Sequence, residues 1–326
     1  MKKIFVLIAC FTLSCSRNPV AQKDEMDFAI YLLKDSELSY MEASECNLDT
    51  LEIESTPWLS LNDVEMYDFS THYVYLSTPK ERIFEGIVNE AGIFNGFLLK
   101  PFLLVAGQER IYLGEFVSAL SSSLGGCCPH IDDMEQRIVA SDILSIRGCN
   151  IQGMPDVRKD SRIATVLSKN KVFHAGISVE LKSVEVIDNT DTASIVYSFK
   201  ITNNDKDDLF IPDPDLMGTE LFHYYTNGVL FLSDDNHYYF SQYKRTIEPT
   251  PYDSWKSEWF SKLQSQDSLL RTVHLKGYPQ LPSGQYRCEF VFSGPEKIEK
   301  NARIYNNCRY WIGEVNSNEI QMVISN

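Results

Sequence analysis

The chain has 326 residues, with 45 Asp and Glu against 30 Lys and Arg, a formal charge of −15, and 44% hydrophobic residues. Such a surface repels nucleic acid and anionic lipid, while the apolar content suffices for ordinary cores, so a nucleic-acid binder and a disordered chain are both excluded as readings. The length suggests two domains.

Met1-Lys2-Lys3 is a cationic start, and residues 4–14 (IFVLIACFTLS) form an apolar run that closes on small residues. This is the layout of a signal peptide and is too short to span a bilayer as a helix. The stretch Leu13-Ser14-Cys15-Ser16 resembles the lipobox of bacterial lipoproteins, in which the peptidase cuts before a cysteine that carries lipid. Thr12 and Leu13 depart from that pattern. Leu7-Ile8-Ala9-Cys10 fits it better but leaves an apolar core of six residues, so Cys15 is the favoured lipidation site. The resemblance implies a signal peptide over 1–14, a polar tether over 15–26, and a membrane-anchored lipoprotein of the bacterial cell envelope, periplasmic or surface-exposed. Loss of Lys2 and Lys3 takes the charge from −15 to −17. Six cysteines remain, Cys46, Cys127, Cys128, Cys149, Cys288 and Cys308; an even number in an exported chain makes disulfides the default.

Residues 27–170 read as one α+β domain. Phe28 to Leu33 and Leu48 to Ile53 read as strands, and Ser60 with Asp63 has capping-box spacing for a short helix. His72 to Leu76 returns as a strand. Pro79 opens a helix whose apolar face is Ile83, Phe84, Ile87, Val88, Ala91 and Phe94. Pro101 to Ala106 and Arg110 to Val117 form a hairpin around Gly107-Gln108. Asp142 to Ile146 gives one more strand and Pro155 to Leu167 a helix. Over Phe28 to Ser123 the order LDTLEIESTPWLSLNDVEMYDFSTHYVYL, then KPFLLVAGQERIYLGEFVSALSS, resembles a segment of uncharacterised bacterial exported proteins. That family implies no activity. The same order of elements is similar to the extracytoplasmic head of the Sec translocon's accessory subunit, which bears on shape alone.

Residues 171–326 read as β. Ile177-Val179-Leu181 and Ile195-Tyr197-Phe199-Ile201 alternate, Leu221 to Leu232 and His237 to Phe240 add strands, and Tyr286-Cys288-Phe290-Phe292 and Ile320-Met322-Ile324 close the chain. The segment Leu281 to Cys288 resembles strand F of the immunoglobulin fold, with Tyr286 two residues before Cys288 as in the tyrosine corner. It implies an immunoglobulin-like sandwich, although strand Ile195–Ile201 lacks the partner cysteine. Cys308 is the nearer partner for Cys288, and a bridge closing such a loop stabilises by about 3 kcal/mol.

Cys127-Cys128-Pro129-His130, with distant Cys149, is the densest set of ligand-capable side chains. It reads as a disulfide-bearing loop, a zinc site or a reactive thiol beside a base; the spacing matches no paired zinc motif. The acidic runs 203–208 (NNDKDD) and 212–215 (PDPD) are solvated turns or calcium loops, without the glycine and glutamate of the known loop. Tyr252, Trp255 and Trp259 are a sugar- or partner-binding platform if exposed and one packed face if buried. No catalytic signature and no cofactor motif is present. The expectation is a non-enzymatic envelope protein that binds a protein or glycan, against a thiol- or zinc-dependent enzyme using the Cys127–His130 loop, or an accessory subunit of an envelope complex.

Overall fold

The computed structural model describes residues 28–85, 100–118, 128–148, 155–226, 228–240 and 255–325. Among them strand dominates: twenty-one strands in five sheets, against six α-helices of four to nine residues and five single 3-10 turns.

The first sheet runs Leu59–Ser60, Ala29–Leu32, Pro101–Ala106, Glu109–Val117, His130–Asp132. Its central strand is buried at every position. Phe102, Leu104 and Ala106 join Phe28 and Ile30 in one core, while Leu103 and Val105 join Ala29, Tyr31 and Leu113 in another. A sheet covered on both faces is why PFLLVA reads as an unbroken apolar run. Gly107 takes the positive φ of 65° that the hairpin turn requires. The second sheet runs Ile143–Ser145, Tyr73–Leu76, Val64–Asp68, Phe173–His174, its last pair parallel. The helix Ser161–Lys169 starts where Asp160 accepts from the Arg162 amide at 2.8 Å, and it buries Ile163 and Leu167 against the first core.

Beyond residue 175, Ile177–Asn189, Thr192–Asn203 and Ser268–Pro279 form an antiparallel sheet whose inward Ile195, Tyr197, Phe199 and Ile201 are fully buried. A second sheet joins Tyr238–Tyr239, Val229–Ser233, Gly284–Ser293 and Glu314–Asn316, with Ile320–Ile324 also on the Gly284–Ser293 strand. A third joins Phe260–Leu263, Leu209–Pro212, Cys308–Tyr310 and Ile304–Tyr305 and contains a parallel pair. All three sheets feed one aromatic-rich core.

The expected pairing of an α+β domain with an immunoglobulin-like sandwich is therefore corrected: the described chain is mostly β throughout, and no immunoglobulin arrangement is evident. In the first half, Ser60 and Asp63 do form a capping box, with the hydroxyl donating to Asp63 Oδ2 at 2.7 Å, but it caps a single 3-10 turn. Leu48–Thr50 is also a 3-10 turn, capped by Asn47, and Ile53 keeps only an isolated bridge to Leu33. The helix after Pro79 is described only over Lys80–Ile83; its other expected positions, 87 to 94, lie outside the described residues. In the second half, Leu221 to Thr226 is not strand: helices Pro214–Met217 and Thr219–Thr226 interrupt the sheets. The tyrosine corner exists locally, with Tyr286 Oη donating to the Pro282 carbonyl at 2.7 Å. One hydrogen bond sets the local turn and does not dictate strand order.

Cys288 lies between Phe231 and Ile320 in register, whereas Cys308 belongs to a different sheet; both are buried free thiols, so the expected bridge is not formed. Of the two readings of the aromatic trio, the described pair fits the packed one. Trp259 is buried and Trp255 partly buried, its ring 4.3 Å from that of Tyr225, because these rings cover the core beside the inserted helices. Tyr252 lies outside the described residues.

Candidate functional site

The two halves of the chain meet along the turn that joins strands Val64–Asp68 and Tyr73–Leu76. Register places Asp68 beside His174. Asp68 has its side chain wholly buried; Oδ1 accepts from the Ser70 amide at 3.0 Å and hydroxyl at 2.6 Å. Its Oδ2 faces the Arg309 guanidinium at 3.4 Å, and Arg309 also donates to Asp205 Oδ2 at 2.9 Å. His174 Nδ1 lies 3.1 Å from both oxygens of Asp205. A chain of polar contacts thus runs from Asp68 through Arg309 and Asp205 to His174. Burial pushes the Asp205 carboxyl up, but His174 and Arg309 outweigh it and hold it below the usual range.

A second buried pair crosses the junction. Arg303 donates from both terminal nitrogens to the Asp142 carboxylate, and its guanidinium lies 5.0 Å from the Tyr75 ring centre. Ile312 completes the contact by packing with Tyr73, Tyr75, Val139, Ala140 and Ile143.

Above this network lies a cleft of about 180 Å³, lined from the first half by Thr71, Glu135, Arg147 and Lys159 and from the second by Glu314 and Asn316. Glu135 is held at its base by Tyr73 Oη at 3.2 Å and Arg147 at 3.3 Å. Glu296 is pushed up to about 7, first by burial, then by the negative charges of Glu135 and Glu314. Arg158 is already engaged, donating to both oxygens of Asp156. A larger cavity of about 310 Å³ lies beside Phe84 and Val139; of its two lysines, Lys80 is spent on the carbonyls of Gln136, Val139 and Ile143.

The cysteine loop carries no activated thiol among the described residues. Cys127 and Cys149 lie outside them, as does Cys15. Cys128 is buried and donates to Glu115 Oε1 at 3.3 Å; burial, then the Glu115 charge, pushes its thiol well above the usual range. A thiol so held is a poor nucleophile. His130 Nδ1 donates to the Cys128 carbonyl at 3.1 Å, not to its sulfur, and burial pushes its pKa down. Of the acidic runs, Asp213 is taken by Arg271, which donates to both its oxygens at 2.8 and 2.6 Å. The run at 203–208 differs: Asp205 and Asp207 face His174, a grouping that sequence order hid because thirty-one positions separate His174 from Asp205.

No family model matches the chain, and no curated protein matches it. Among solved structures it is similar to an X-ray structure of Northeast Structural Genomics Consortium target SoR45, at 10% identity and a TM-score of 0.25, over 45% of this chain and 86% of that one.

Proposed function

We propose that the chain is a lipid-anchored protein of the bacterial cell envelope that binds a protein or glycan partner through the junction cleft, without a catalytic role. The address rests on the cationic start, the short apolar run and Cys15. The observation that carries the binding role is the cleft itself: both halves line it, Arg147 and Lys159 share its lining with Glu314 and Asn316, and Glu135 is fixed by buried Tyr73 and by Arg147. Such mixed polar walls match the hydroxyl, amide and carboxylate groups of peptides and sugars. Cys128, the described thiol of the cysteine loop, is buried and protonated, which weighs against nucleophilic chemistry there.

The test uses the protein purified from its own host. Intact mass is expected to show a lipid-sized increment on a mature chain beginning at Cys15. Calorimetric titration with peptide and glycan fragments of that host's envelope is expected to give saturable binding, weakened about tenfold by Arg147→Ala, the loss of one charged contact. An unmodified mature terminus overturns the anchor. Binding that Arg147→Ala leaves unchanged, or no binding to any fragment, overturns the cleft.

A further inference from the structure

The turn after strand Thr192–Asn203 is built by its own side chains. Asn203 Oδ1 accepts from the Asp205 amide at 2.9 Å, and Asp205 Oδ1 accepts from the Lys206 amide at 2.7 Å. This aims Asp205 inward, its side chain wholly buried, and leaves Asp207 half exposed at the rim. The parallel pairing of Phe173–His174 with Val64–Asp68 brings His174 to the same point. We infer that His174, Asp205 and Asp207 form a binding site for a divalent transition-metal ion at the junction of the two halves.

Geometry supports it first. His174 Nδ1 is 3.1 Å from Asp205 and 3.5 Å from Asp207 Oδ2, and the three donor atoms all lie within 4.8 Å of one another. An ion about 2.1 Å from each donor sets neighbouring donors roughly 3.0–3.4 Å apart, which the two histidine–carboxylate distances already approach. Charge is consistent with it. Asp68, Asp205 and Asp207 oppose the single guanidinium of Arg309 in this network. With His174 neutral, as ligation requires, two negative charges are left over, and a divalent ion balances them. Arg309 does not block the site: a carboxylate oxygen has two lone pairs, so Asp205 Oδ2 can accept from Arg309 and still face the metal, with Arg309 orienting it. The imidazole decides the class of ion. Calcium takes six to eight oxygens, whereas one nitrogen and two carboxylates suit zinc and its neighbours, with the exposed side at Asp207 left for water.

The test is calorimetric titration of the chelator-stripped mature chain with zinc chloride alone, with melting temperature read in parallel. One equivalent of zinc is expected to bind and raise the melting temperature. Asp207→Asn, half exposed and so without cost to folding in the absence of metal, is expected to weaken binding by about tenfold or more and to remove the thermal gain; His174→Gln is expected to do the same. Absence of zinc binding overturns the inference. So does binding that persists unchanged in both variants, which would place the ion on cysteines.

Discussion

His72 is a buried titratable residue at the junction. Its φ of 58° is left-handed, its side chain is buried, its Nδ1 shares a hydrogen bond with Tyr67 Oη at 3.1 Å, and Nε2 lies 3.6 Å from Asp156. Burial, against the pull of Asp156, lowers its pKa to about 4. A histidine kept neutral in the fold protects stability above its unfolded pKa of about 6.5, and that protection is lost as pH falls toward 4, by about 3 kcal/mol. Glu296 runs the opposite way. Its folded pKa of about 7 exceeds its unfolded value, so its contribution is full at low pH and is lost as pH rises from about 4.5 through 7. The two slopes oppose each other in one window, so wild type shows a muted pH profile. His72→Asn keeps a residue that accepts left-handed backbone and is expected to flatten the acid loss. Glu296→Gln is expected to stabilise at pH 8, by about 1 kcal/mol after allowance for its partial exposure. Urea unfolding of each variant at pH 4.5, 6 and 8 separates the two effects.

At the scale of elements, the junction depends on one close approach. Gly176 has φ of 66°, and a Cβ there would collide with Ser70 Oγ and the Asp68 carboxylate. Gly176→Ala is therefore expected to cost roughly 2–4 kcal/mol, from overpacking and left-handed strain together, and denaturant midpoints measure it. Nothing in the sequence marks Gly176 as a junction residue, because the clash lies with residues far away along the chain. What local pattern could show, it did show. The 101–117 hairpin and the long alternating strands at 177–203 follow from periodicity, whereas the helix expected over Pro155 to Leu167 is a 3-10 turn at Val157–Lys159 followed by a helix that Asp160 starts at Ser161. What failed was scale: a capping box at Ser60 signals a turn beginning, not how long it lasts, and apolar Leu221–Tyr225 has no period that separates buried helix from buried strand. The site was half legible. The acidic turn at 203–208 stood out, but His174 and Arg309 reach it only through strand pairing across the chain.

Over the whole molecule, two buried charge systems and the Ile312 cluster join halves that sequence composition reads as separate domains. Arg309 is central, because it faces both Asp68 and Asp205. If the network couples the halves, unfolding of the metal-free chain is one cooperative transition by calorimetry, and Arg309→Met lowers stability by about 3–5 kcal/mol and splits that transition in two. The larger part of the cost is not a lost attraction. It is the desolvation of two carboxylates left without a cation, since their side chains are wholly buried. The double variant Arg309→Met with Asp68→Asn tests this directly. Asp68 Oδ1 accepts from Ser70, which an amide oxygen can still do, so removing the charge keeps the turn while relieving repulsion. The double variant is expected to be more stable than Arg309→Met alone. Were it less stable, the network would be held by hydrogen-bond geometry and not by charge balance, and the halves would remain coupled through Arg303 and Ile312.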